Sequence, residues 1–153
     1  MAKKIFFDMD GTIADLYGTE NWLEDLLSER ENLFKNLKPL FEIEELKNTI
    51  NYLVDKGFEI GVITWTPKNV SQEYIKIVEK EKKEWLSQHL PMIKEIHCLN
   101  YGTPKQKAEY KKAKLEILVD DNEEVLGMWQ TPKQRQILKA DNNLLQNLQA
   151  LGV

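Results

Sequence analysis

The sequence predicts an α/β fold: a three-layer, Rossmann-like parallel sheet with helices on both faces and a small helical cap insertion at about 17–38. Two observations predict it. Short apolar runs of strand length alternate with segments of helical periodicity. Three of those runs end in polar groups, Asp8, Thr64 and the pair Asp120–Asp121, as expected where a parallel sheet presents a ligand site at its C-terminal edge.

Taken in order, KKIFFD at 3–8 is an apolar run closed by a carboxylate and reads as a buried strand. Residues 17–38 break the alternation. Trp22, Leu23, Leu26, Leu27, Leu33, Phe34 and Leu37 suit a helix or helical hairpin ended by Pro39. Ile43, Leu46, Ile50, Leu53 and Val54 fall at helical spacing over 42–56, with Gly57 as the stop. FEIGVIT at 58–64 is a second buried strand, after which Pro67 opens a long helix running to about Leu90. EIHCL at 95–99 is a weaker strand, YGTP at 101–104 a turn, and 105–113 a helix. LEILVDD at 115–121 is the third strong strand. A short helix carries Val125, Leu126 and Trp129, RQILKA at 135–140 is an edge strand, and a last helix runs from Asp141 towards Gly152.

The length of 153 residues suits one domain, taken as 1–153. With 42% hydrophobic and 30% charged residues the chain can bury a core and keep a wet surface, which argues against disorder. Its longest apolar runs, about five to seven residues, fall far short of the roughly 20 of a membrane span. The start MAKKIFFDMD reaches a charge too soon for a signal peptide, and Cys98 is the only cysteine, so no internal disulfide forms. A cytoplasmic protein with no membrane partner is expected. Its oligomeric state is not legible.

The formal charge of -4 is uneven. Residues 1–60 hold 7 basic and 13 acidic residues, 61–114 hold 11 and 6, and 115–153 hold 3 and 6. The acidic balance disfavours nonspecific nucleic-acid binding. The basic middle suits a phosphorylated ligand, although EKEKKE at 79–84 reads as a solvated helix face.

The chemistry concentrates in Asp8-Met9-Asp10-Gly11-Thr12. At a strand end, two carboxylates two residues apart can reach one site, and Gly11 permits a sharp turn. One carboxylate can attack phosphorus to form an acyl phosphate. The other can protonate the leaving oxygen and then activate water. Two anions facing a phosphate need a cation between them, and Mg²⁺ suits an all-oxygen site. No Cys/His cluster suggests zinc; His89 reads as a helix-face residue, and His97 and Cys98 as strand residues.

FFDMDGTIAD resembles the first motif of the haloacid dehalogenase superfamily. VITWT at 62–66 resembles its second, an apolar strand ending in Thr or Ser, and ILVDDN at 117–122 its fourth, an apolar strand ending in an acidic pair. TPKQK at 103–107 supplies the lysine expected between them, Lys105 or Lys107, with Lys105 preferred because it opens a helix. The resemblance spans residues 5–122. It implies that Asp8 is nucleophile and metal ligand, and that Asp10 is the general acid/base with its main-chain carbonyl on Mg²⁺. It implies that Thr64 binds a phosphate oxygen, that Lys105 stabilises the transition state, that Asp120 binds the metal, and that Asp121 holds a metal-bound water or orients the loop. Asp10 sets the phosphatases of the superfamily apart from its dehalogenases, and the length leaves no room for the nucleotide domain and membrane helices of its ion pumps.

The expected activity is Mg²⁺-dependent hydrolysis of a small phosphate ester. DMDGTIAD is similar to the 5′-nucleotidase (deoxyribonucleotidase) branch, which implies a nucleoside or deoxynucleoside monophosphate. Trp65 is a candidate to stack on a base or ring. Asp15, Tyr17 and Trp22 stand near the insertion, with capping or packing as equal readings. Phosphoryl transfer to another acceptor, action on a polynucleotide end or a phosphoprotein, and a phosphate-binding regulatory role with a retained site remain alternatives.

Overall fold

The computed structural model describes residues 2–130 and 135–153. Its core is a five-stranded, all-parallel sheet in the order β3-β2-β1-β4-β5. The strands are β1 (Lys3–Phe7), β2 (Phe58–Trp65), β3 (Glu95–Leu99), β4 (Leu115–Asp120) and β5 (Arg135–Lys139). Each lies where the apolar runs predict it, and β5 is an edge strand. The alternating pleat sends Ile5, Phe7, Val62, Ile117 and Val119 into a large core on one face and Phe6, Ile63 and Leu118 into a smaller core on the other.

Three helices cover the large-core face: α2 (Ile43–Asp55), α3 (Gln72–His89) and α5 (Leu144–Leu151). On the other face α4 (Glu123–Trp129) supplies Val125, Leu126 and Trp129. The arrangement is therefore the expected three-layer α/β sandwich, with one outer layer thin. Gly57, at φ 94°, takes the left-handed turn that ends α2. No helix of the described residues is long and apolar enough to cross a membrane.

Two of the expected helices, those after Pro67 and Pro104, differ from expectation. Pro67 does not open α3. The Ser71 side chain accepts from the Tyr74 N–H and caps the helix, so 67–70 remain loop. The helix expected at 105–113 shrinks to a single 3-10 turn at Lys105–Lys107, because Ala108 and Tyr110 are drawn onto the small core as irregular chain. The insertion holds one six-residue helix, α1 (Trp22–Leu27), followed by turns. Its Leu33, Phe34 and Leu37 are nonetheless buried in the large core.

Sheet register positions the site. Phe7 pairs with Val119, so the next residues, Asp8 and Asp120, emerge side by side. After β1 the chain crosses to β2 and β3 on one side and later to β4 on the other, so the crevice between β1 and β4 is where strand order reverses.

Candidate active site

Asp8 is fixed at the end of β1 by its N–H, which donates to Val119 O at 2.9 Å. The chain then turns tightly, with Thr12, Ile13 and Ala14 N–H groups all donating to Met9 O. Gly11 sits at φ 80°, and a Cβ there would collide with the Asp121 carboxylate and lie 2.8 Å from the Tyr17 ring. No other residue type fits this turn without displacing the acidic cluster.

Lys105 is 2% exposed. It places Nζ 2.8 Å from Asp8 Oδ1 and 2.7 Å from Asp120 Oδ2. Burial opposes its charge, but the two carboxylates outweigh that and raise its pKa above the ordinary lysine value. Of the two lysines the motif offered, Lys105 is therefore the one at the carboxylates. Thr12 Oγ1 donates to Asp8 Oδ2 at 3.2 Å, within reach of Asp121 Oδ1 at 3.4 Å. Asp120 also accepts from the Asn122 N–H, which steadies the loop entering α4.

Asp8, Asp120 and Asp121 each offer a carboxylate oxygen within 4.8 Å of the others, a group able to hold a metal ion. The donors are all oxygen, which suits hard cations. Burial, then repulsion from Asp8, raises the pKa of Asp120. Burial, then Asp8 and Asp120, pushes Asp121 up to about 7. Asp121, expected only to hold a water or orient the loop, thus stands among the candidate carboxylate donors.

The Asp10 carboxylate lines the same cavity and is tied to α3. Its Oδ2 accepts from Lys82 Nζ at 2.9 Å, and its Oδ1 is buried without a hydrogen-bond partner. Burial raises its pKa, and Lys82 opposes that. Thr64 is fully buried, and its Oγ1 accepts from Lys82 at 2.7 Å. It does not line the cavity in front of Asp8; Thr66, two residues on, does.

EKEKKE at 79–84 was expected to form a solvated helix face, and here the structure corrects the sequence reading. Glu81 and Lys82 are buried. Glu81 accepts the N–H groups of Asn32, Phe34 and Lys35, fastening the insertion to α3. A signal for both residues was present: Tyr74, Val78 and Trp85 form a buried stripe, and 81–82 fall on it.

The cavity, about 510 Å³, is lined by Asp8, Asp10, Lys105, Asp120 and Asp121 at one end. The insertion forms a second wall with Tyr17, Trp22, Leu26 and Phe34, beside Leu16 just before it. A third wall holds Trp65 and Tyr101, whose rings lie 5.0 Å apart, with Lys68 Nζ 4.7 Å from the Tyr101 ring. Trp65 Nε1 donates to Thr103 O at 2.7 Å, which ties this wall to the loop carrying Lys105. Asp15 accepts from the Gly18 N–H, a local turn contact outside the cavity lining. No known family model matches the chain, and no curated protein does.

Proposed function

We propose that the protein is a Mg²⁺-dependent phosphomonoester hydrolase working through a phosphoryl group on Asp8, as its resemblance to haloacid dehalogenase phosphatases implies. The observation that carries this reading is the buried Lys105, which bridges Asp8 and Asp120 at the strand-order switch. A buried cation between two carboxylates at one end of a cavity is costly for stability alone. It is well suited to an anionic group passing through that point.

The Asp8 carboxylate attacks phosphorus while the bond from phosphorus to the ester oxygen breaks. Asp10, lining the same cavity, gives the departing oxygen its proton. A water then attacks phosphorus, Asp10 takes the proton back, and the bond to Asp8 breaks to release phosphate and restore the carboxylate. The raised pKa of Asp10 favours the protonated form that the first step needs. Lys105 neutralises charge on the phosphoryl oxygens throughout. Asp8, Asp120 and Asp121 would hold the cation, with the Asp10 main-chain carbonyl as a further donor. Bound there, it supplies positive charge that offsets the crowding of carboxylates and phosphate.

The cavity's apolar and aromatic walls suit an ester with a compact organic group. A nucleoside or deoxynucleoside monophosphate, its base against Trp65 and Tyr101, is the substrate we favour. The test is phosphate release from a panel of phosphate esters weighted towards nucleotides, with Mg²⁺ or EDTA, using the native protein and Asp8→Asn. Release that needs both Mg²⁺ and Asp8 is expected. Metal-independent release, or release unaffected by Asp8→Asn, would overturn the reading.

A further inference from the structure

We infer that Lys82 is a positioning residue for Asp10, an inference that rests on the phosphatase reading above. Lys82 projects from α3, is 0% exposed and does not line the cavity, so it meets no substrate. Its ammonium has three protons, and three acceptors take them: Asp10 Oδ2 at 2.9 Å, Thr64 Oγ1 at 2.7 Å and Trp65 O at 2.9 Å. Two of these acceptors belong to the end of β2 and the third to the turn after β1. One saturated cation thereby sets the Asp10 carboxylate against the sheet edge. The Phe34 ring, 5.2 Å from Nζ, closes the remaining side with a group that offers no competing acceptor.

The consequence is that one contact fixes the rotation of the Asp10 carboxylate beside the cavity that Asp10 lines. Oδ2 is held by Lys82. Oδ1 is buried and has no hydrogen-bond partner, so no other contact competes with Lys82 in setting the orientation of the carboxylate. Without Lys82 the carboxylate is free to rotate away from the position the reaction needs. Proton transfer then suffers, while attack by Asp8, held separately by Lys105 and Thr12, does not.

The test separates these steps by leaving group. A nitrophenyl phosphate departs as a weakly basic anion and needs little protonation; an alkyl phosphate needs the proton. First-turnover release is measured for both esters with the native chain, Lys82→Met, Asp10→Asn and the double variant. Circular dichroism verifies folding, and Lys82→Gln, which keeps two donors, stands in if Lys82→Met does not fold. The expected result is a loss of about 10²-fold on the alkyl ester, with first-turnover release from the nitrophenyl ester little changed. The double variant should be no slower than Asp10→Asn alone. Equal losses on both esters, or losses that add in the double variant, would show a merely structural ion pair and overturn the inference. A native chain that cleaves neither ester, or that cleaves them equally well as Asp8→Asn, would instead remove the phosphatase reading, and the inference with it.

Discussion

Lys105 and Asp8 are 97 residues apart in the chain, yet Nζ of one lies 2.8 Å from Oδ1 of the other. The same ammonium reaches Asp120, so three charges from three segments meet at one end of the cavity. If Lys105 acts on the phosphoryl group and not as a scaffold for the metal, its loss separates turnover from cation binding. Lys105→Met is expected to lower kcat by about 10²–10³-fold. Mg²⁺ affinity by calorimetry should be no weaker, because a positive charge has left the carboxylates. Weaker Mg²⁺ binding would contradict this.

Asp121 is held within reach of two other carboxylates, Asp8 and Asp120. At about pH 8 it is ionised, and its neighbours repel it. Asp121→Asn should therefore stabilise the metal-free protein. Solvent screening of this half-buried group limits the gain to about 1 kcal/mol, or about 2–4 °C in Tm. The same change should weaken Mg²⁺ binding at least about tenfold. A lower Tm together with unchanged Mg²⁺ affinity would show that Asp121 serves the fold alone.

Glu81 fastens the insertion through three main-chain N–H groups. Glu81→Ala should cost about 3 kcal/mol, since hydrogen bonds to a charged acceptor are strong and the freed donors lie on half-buried chain. The loss should be local. Amide exchange at Asn32, Phe34 and Lys35 is expected to accelerate more than exchange in β1 or β4. Uniform acceleration across the protein would contradict a dedicated cap anchor.

Trp65 presents a cavity wall and also braces the Lys105 loop through Thr103 O. Trp65→Phe keeps a ring and loses the hydrogen bond, whereas Trp65→Ala loses both. If the ring packs against the organic part of the ester, Trp65→Ala should raise KM by about tenfold. Trp65→Phe should change it far less. Equal effects of the two variants would assign Trp65 to bracing the loop.

The strands were legible because each is a short apolar run, and the long segments between them, mostly helical, imply parallel crossovers. Asp8, Lys105 and Asp120 were legible because strand ends in such a sheet meet at one edge, and the structure brings all three together. The start of α3 was misread at Pro67 because a proline at the first helical position and one in a preceding loop look alike, and the Ser71 cap decides between them. Lys82 was misread because charged helix residues are usually solvated. Its partners, Asp10 and Thr64, lie 72 and 18 residues away, and no local pattern marks them. Thr64 was expected to face the phosphate, yet its hydroxyl accepts from Lys82 and the cavity is lined by Thr66.

The most direct test of the central claim is to catch the phosphoryl group on Asp8. The protein is mixed with its best ester and Mg²⁺, quenched in acid within a turnover, digested and analysed by mass spectrometry. The account predicts a hydroxylamine-sensitive phosphoryl adduct on the peptide containing Asp8, absent from Asp8→Asn. Turnover with no adduct at any quench time, or an adduct on another residue, would contradict it.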